Sequence, residues 1–156
     1  MWASSSGGPR FADEAFAGLS LMLAGEAENP THRRELLRSE ALDYSLGSLR
    51  HVDEYLAAVH RTPPCNSERM QLVLRGGAYL GEVMRRARPG VFHWVLYEEG
   101  ARLSAVIREM PESLATAGIL WRDPQCVAFP LEKVCKALEN GSSESLYAFG
   151  CLFTRG

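Results

Sequence analysis

Apolar positions recur at helical spacing through the first half of this chain and alternate with polar ones only in a short stretch after Gly90. The longest periodic stretch, Asn66 to Arg88 (NSERMQLVLRGGAYLGEVMRRAR), carries Met70, Val73, Leu80 and Met84 on one helical stripe through Gly77. Leu72, Tyr79 and Val83 form a second stripe beside it. Two adjacent stripes leave almost no wet side before the last turn, and a helix apolar on most of its circumference has to be wrapped by other elements. The pattern predicts a buried central helix over about 67–87, capped by Asn66 or Ser67.

The same reading places an amphipathic helix over 10–28, with Phe11, Ala15, Leu19, Met22 and Leu23 facing inward and Asn29-Pro30 ending it. A short polar helix over THRRELLR follows, and Asp43-Tyr44 reads as an extended link. Ser45 then caps a helix whose Leu46, Leu49, Val52, Leu56 and Val59 point to the core, and Thr62-Pro63-Pro64 breaks it. After Arg88-Pro89-Gly90 the period changes. The aromatic and β-branched run VFHWVLY predicts a strand over about 91–97, with Phe92, Trp94 and Leu96 on one side and His93, Val95 and Tyr97 on the other.

A short helix through Leu103, Val106 and Ile107 comes next. Strands over about 116–121 and 126–129 are joined by the turn RDPQ. Pro130 opens a helix that Gly141 closes, and a last helix starts at Ser142 or Ser143. Helices first, then a small antiparallel sheet and two short C-terminal helices, make the expected class α+β. Residues 1–8, small and glycine-rich, predict a disordered tail or a remnant of expression, leaving 9–156 as a single globular domain.

Length changes the picture little, since 156 residues suit one domain with a sizeable core. A formal charge of -2 gives no electrostatic reason to expect nucleic acid or a membrane as partner. Of 17 basic residues only Lys133 and Lys136 are lysines, a bias that hints at a GC-rich bacterial source. Cys65, Cys126, Cys135 and Cys151 are widely spaced and read as free thiols. No apolar run reaches the ~20 residues that cross a bilayer, and the first residues lack a signal core, so the expected location is cytoplasmic.

Candidate chemistry is sparse. Gly77 and Gly81 share one helix face, and each costs up to ~1 kcal/mol against alanine; close approach of a neighbouring element is the expected compensation. Glu82, flanked by apolar residues, needs a cation or donors if it is buried, and the spacing suggests Arg86 as partner, with Arg75 and Arg85 alongside. The favoured role is a structural ion pair between the central helix and the sheet. Trp94 is expected to plug the core. No catalytic residue is assigned, no metal site is expected because His32, His51, His60 and His93 are scattered, and no cofactor is implied. Glu98-Glu99 reads as a solvated turn. Basic residues do not interleave with aromatic ones as a stacking platform requires, which speaks against nucleic-acid binding.

The motifs GAYLGEVMRR, HWVLYEE and FPLEKVCKALENGSSESLYAF resemble those of an uncharacterised family of small bacterial proteins, over roughly residues 45–149. That family carries a glycine-rich GAYxGEVxRR helix, a tryptophan strand and a proline-led PxxKVxKxLExG helix. The matching positions are Gly77, Tyr79, Gly81, Glu82, Arg85, Trp94, Tyr97, Pro130, Lys133, Glu139, Gly141 and Tyr147. The resemblance implies one domain and no particular activity.

Two functions fit these observations. The leading one is a non-enzymatic protein-interaction module, an adaptor or immunity-type protein with an unknown protein partner or a second copy of itself. The alternative is a small-molecule binder or enzyme whose ligand-binding candidates are Glu82, Arg85, His93, Tyr97 and Lys133. That alternative requires Glu82 and His93 to converge and a pocket of at least ~300 Å³ to hold several of these groups.

Overall fold

The computed structural model describes residues 8–25, 28–123 and 126–155. The expected tail over 1–8, apart from Gly8, lies outside them, as do Pro124 and Gln125 of the RDPQ turn. The fold is α+β. Among the described residues, seven α-helices surround or flank a three-stranded antiparallel sheet of order β1-β2-β3. The elements are α1 (Asp13–Leu21), α2 (Leu49–Arg61), α3 (Asn66–Ala87), β1 (His93–Leu96), α4 (Tyr97–Leu103), α5 (Ala105–Arg108), β2 (Gly118–Arg122), β3 (Cys126–Ala128), α6 (Pro130–Asn140) and α7 (Leu146–Thr154).

The central helix is α3. Every residue from Arg75 to Met84 is buried, and α1, α6 and α7 pack against it. The expectation fails at its start, where Met70 is 53% exposed and the first turns meet solvent. Its N-cap is Cys65, one residue before the expected pair. The Cys65 main-chain N–H donates to the Glu68 carboxylate and the Cys65 side chain faces the Glu68 N–H, a reciprocal cap.

The glycines on this helix are contact points. A Cβ on Gly77 would come within 2.6 Å of Leu131 of α6, and one on Gly81 would overlap the Trp94 ring. Trp94 is fully buried, as expected, and stacks on Phe16 at 4.2 Å between ring centres. The close fit that offsets the helical cost of glycine therefore joins α3 to α6 on one side and to β1 on the other.

The first helix is shorter than 10–28 and turned differently. Phe16, Ser20 and the following Leu23 are buried, whereas Phe11 and Met22 are exposed. The stretch's apolar residues offer more than one face; the choice is tertiary, because Gly118 of β2 lacks the side chain that would collide with Phe16. The polar helix after Pro30 is a single 3-10 turn (Arg34–Leu36), preceded by Arg33 at φ 51. Tyr44 is left-handed (φ 66) instead of extended, and its N–H donates to the buried Tyr79 hydroxyl at 3.0 Å. Ser45 caps as expected, accepting from the Ser48 N–H, and the 3-10 turn Leu46–Ser48 leads straight into α2. Leu49, Val52, Leu56 and Val59 are all buried.

Strand β1 is shorter than 91–97 because Tyr97 begins α4. Its alternation is real over Trp94 and Val95. Trp94 enters the main core with Leu120 and Ala128, while Val95 joins Ile107 and Ile119 in a smaller core on the other face of the sheet. Pro130 does start α6, Gly141 (φ 74) ends it, and α7 is capped by Ser145 instead of Ser142 or Ser143. Asp53 of α2 holds that cap, accepting from the Leu146 and Tyr147 N–H groups and the Ser145 hydroxyl.

Candidate functional site

The residues singled out from sequence fall into three places. Glu82, Arg85 and His93 do converge, through a residue the sequence reading passed over. Asp13, in the first turn of α1, accepts the Trp94 N–H at 2.6 Å through Oδ1, while its Oδ2 meets His93 Nδ1 at 2.8 Å and Arg85 at 3.2 Å. Arg85 donates with one nitrogen to both oxygens of Glu82, at 3.1 and 2.8 Å, and through Nε to the Phe92 carbonyl. The buried Glu82 also accepts the Trp94 indole N–H at 2.8 Å.

This cluster is an ion-paired joint between α1, α3 and β1. The partner of Glu82 is Arg85 and not Arg86, which instead lies over the Tyr44 ring at 3.6 Å. Arg75 is apart from it, buried and bonded to Thr31, with its pKa lowered by burial. A carboxylate as buried as Glu82 is tolerable only when its oxygens are answered, and here both are. With the Ala12 N–H donating to the Trp94 carbonyl, Asp13 and Ala12 together occupy the outer edge of β1 at Trp94 as another strand would.

Tyr97 and Lys133 lie elsewhere. The Tyr97 hydroxyl donates to the Met110 carbonyl at 2.6 Å, tying α4 to the loop after α5. Lys133 pairs with Glu144 at 2.7 Å, and that lysine first of all holds the Glu144 carboxyl below its usual range. Both contacts hold chain segments together. Among the described residues, no group of three or more His, Cys, Asp or Glu side chains could hold a metal.

Next to the joint lies an open groove of about 860 Å³, within the range of roughly 300–1,000 Å³ usual for ligand sites. It runs between the segment before α1, the β1–α4 junction and the loop before β2. Tyr97 is the single sequence candidate in its lining. Phe11 (42% exposed) and Leu96 (53% exposed) supply apolar surface, with Ala12 and Ala117 beside them. Arg10, Glu98, Glu99, Arg102 and Glu112 supply charge.

Phe11 connects groove and joint. Its ring stacks on His93 at 4.0 Å with an interplanar angle of 5° and leans on Trp121. Glu99 organises the other wall. It takes Arg102 on both oxygens, at 3.2 and 2.5 Å, and the Arg10 N–H at 2.9 Å. The Arg102 guanidinium is the main reason its pKa lies below the usual carboxylate value.

Sequence reasoning missed Asp13, Phe11, Leu96 and Arg102. The sequence pattern puts Phe11 on the inward face of the first helix, Leu96 on the Trp94 side of its strand and Glu98-Glu99 in a solvated turn. The available signal was the pair Asp13-Glu14 in the first turn of a helix, which marks a helix start but not what the carboxylate will reach. Compared with protein-family models, with curated proteins and with solved structures, the chain matches none.

Proposed function

We propose that this chain is a bacterial, cytoplasmic, non-enzymatic interaction module that docks a segment of a protein partner in the groove beside β1. The observation that supports this reading most directly is the groove itself: an open surface of ligand-site size, with two large apolar side chains left exposed in it and charged groups along its walls. Exposed apolar surface rimmed by polar groups is the usual mark of an interaction site. The hydroxyl of Tyr97 and both oxygens of Glu99 are already engaged within the chain, so those lining groups serve to shape the groove. Four free cysteines accord with a reducing compartment, and no helix among the described residues is long and apolar enough to cross a membrane.

The rival reading, a small-molecule site built on Glu82, Arg85, His93 and Tyr97, has less support. The first three close on one another and on Asp13, while Tyr97 faces the groove. Affinity capture from the native host tests the proposal, using wild-type protein, Leu96→Arg in the groove and Leu152→Arg on the exposed face of α7. The expected result is a partner retained by Leu152→Arg and lost by Leu96→Arg. Identical capture by all three proteins would defeat it.

A further inference from the structure

Building on the groove as the docking site, we propose that the segment it receives pairs an apolar side chain with a neighbouring basic one. The lining carries three glutamates and two arginines, and the bonding decides which charges remain available. Arg102 is spent on Glu99, which it grips with two nitrogens, and the field of Glu99 also acts on Arg10, whose main-chain N–H it holds. Arg10 gives Glu99 only its main-chain N–H, so its exposed guanidinium stays in the lining, where Glu98 and Glu112 outnumber it. Glu98 and Glu112 stand exposed in the same lining, outside that ion pair.

An incoming segment therefore meets exposed Phe11 and Leu96 in a lining whose three glutamates outnumber its two arginines, Glu98 and Glu112 leaving it net negative. A lysine or arginine next to an apolar residue complements that pattern. An acidic or phosphorylated segment meets like charge, which costs affinity and slows encounter. Because Glu98 and Glu112 are exposed, their part is selectivity and salt-sensitive association, while the apolar surface supplies the hold.

The test is fluorescence anisotropy with three fluorescein-labelled octapeptide pools, each with two central apolar residues flanked by lysine, glutamine or glutamate, titrated with the full chain. The lysine pool is expected to bind at least ~10-fold tighter than the glutamate pool, about 1.4 kcal/mol. That preference is expected to shrink at higher ionic strength and to vanish in the Glu98→Gln/Glu112→Gln double variant. Leu96→Arg and the milder Leu96→Ser are expected to weaken every pool, with unchanged circular-dichroism melts as the control for folding. If the glutamine or glutamate pool binds as well as the lysine pool and Leu96→Ser still weakens it, the charge assignment falls and the groove reading survives. If no pool binds, or binding ignores both Leu96 variants, the proposal and the groove reading fall together.

Discussion

Strand β1 divides two regions of opposite character. At Trp94 the chain concentrates its chemistry: Asp13, Glu82, Arg85 and His93 lie within one continuous set of ion pairs and hydrogen bonds around a buried indole. Two residues on, at Leu96, the side chains are ordinary and the surface is open. The chemically rich region is closed because burial forces it to be. Glu82 could enter the core only with its oxygens satisfied, and satisfying them uses up the arginine and the indole N–H. The plain region is open because nothing among the described residues covers Phe11 and Leu96 fully. In this protein the titratable groups converge in a joint between elements, and the place proposed above for a partner is marked by exposed apolar surface.

The comparison breaks first at Trp94. Trp94→Ala is expected to cost about 3–5 kcal/mol, because it opens a cavity under Gly81 and Phe16 and removes a donor from buried Glu82. Chemical denaturation measures it, and a loss near zero would mean that the ring is not core. Next comes Arg85→Ala, which leaves Glu82 and Asp13 without their shared cation. A loss of about 3 kcal/mol is expected, the low end for breaking a buried pair, since Arg85 is itself partly exposed. Were Arg85 placed for a ligand instead of for the joint, the fold would barely notice its removal.

Across the divide the effects are expected to be small. Leu96→Arg should shift stability by no more than about 0.5 kcal/mol, as an exposed position allows. A large drop in the melting temperature would show that the groove floor is part of the core. Smallest of all is the titration of Glu99. Its folded pKa lies below its ordinary value, chiefly through Arg102, so its ionisation contributes stability that is fully present above the ordinary value. That contribution is lost as pH falls through the lower, folded value. Arg102→Ala is expected to move the Glu99 carboxyl resonance midpoint upward in an NMR titration and to flatten this acid-side loss. A midpoint unmoved by the substitution would disconnect the two side chains.

How much of this was legible beforehand depends on what each residue has to satisfy. The buried run over Arg75–Met84, the breaks at Pro63-Pro64 and Pro89-Gly90, the start of α6 at Pro130 and its end at Gly141 all follow from local rules of period, ring geometry and backbone freedom. Trp94 in the core and the close approach at Gly77 and Gly81 were equally legible, because a helical glycine pair and a strand tryptophan each need a neighbour. Tyr44 was misread for the opposite reason: its left-handed backbone answers to the Tyr79 hydroxyl, 35 positions further along.

By itself, the sequence determined the central helix, its neighbours α2 and α6, the presence of three strands after it and the α+β class, because these depend on spacing within a few residues. Tertiary structure decided which face of α1 turns inward, that Arg85 rather than Arg86 answers Glu82 and ties it to Asp13, and that Phe11 and Leu96 remain in solvent. Those outcomes depend on distances between segments far apart in the chain. A carboxylate or an aromatic ring takes its role from whichever distant group reaches it first, and no local pattern records which group that will be.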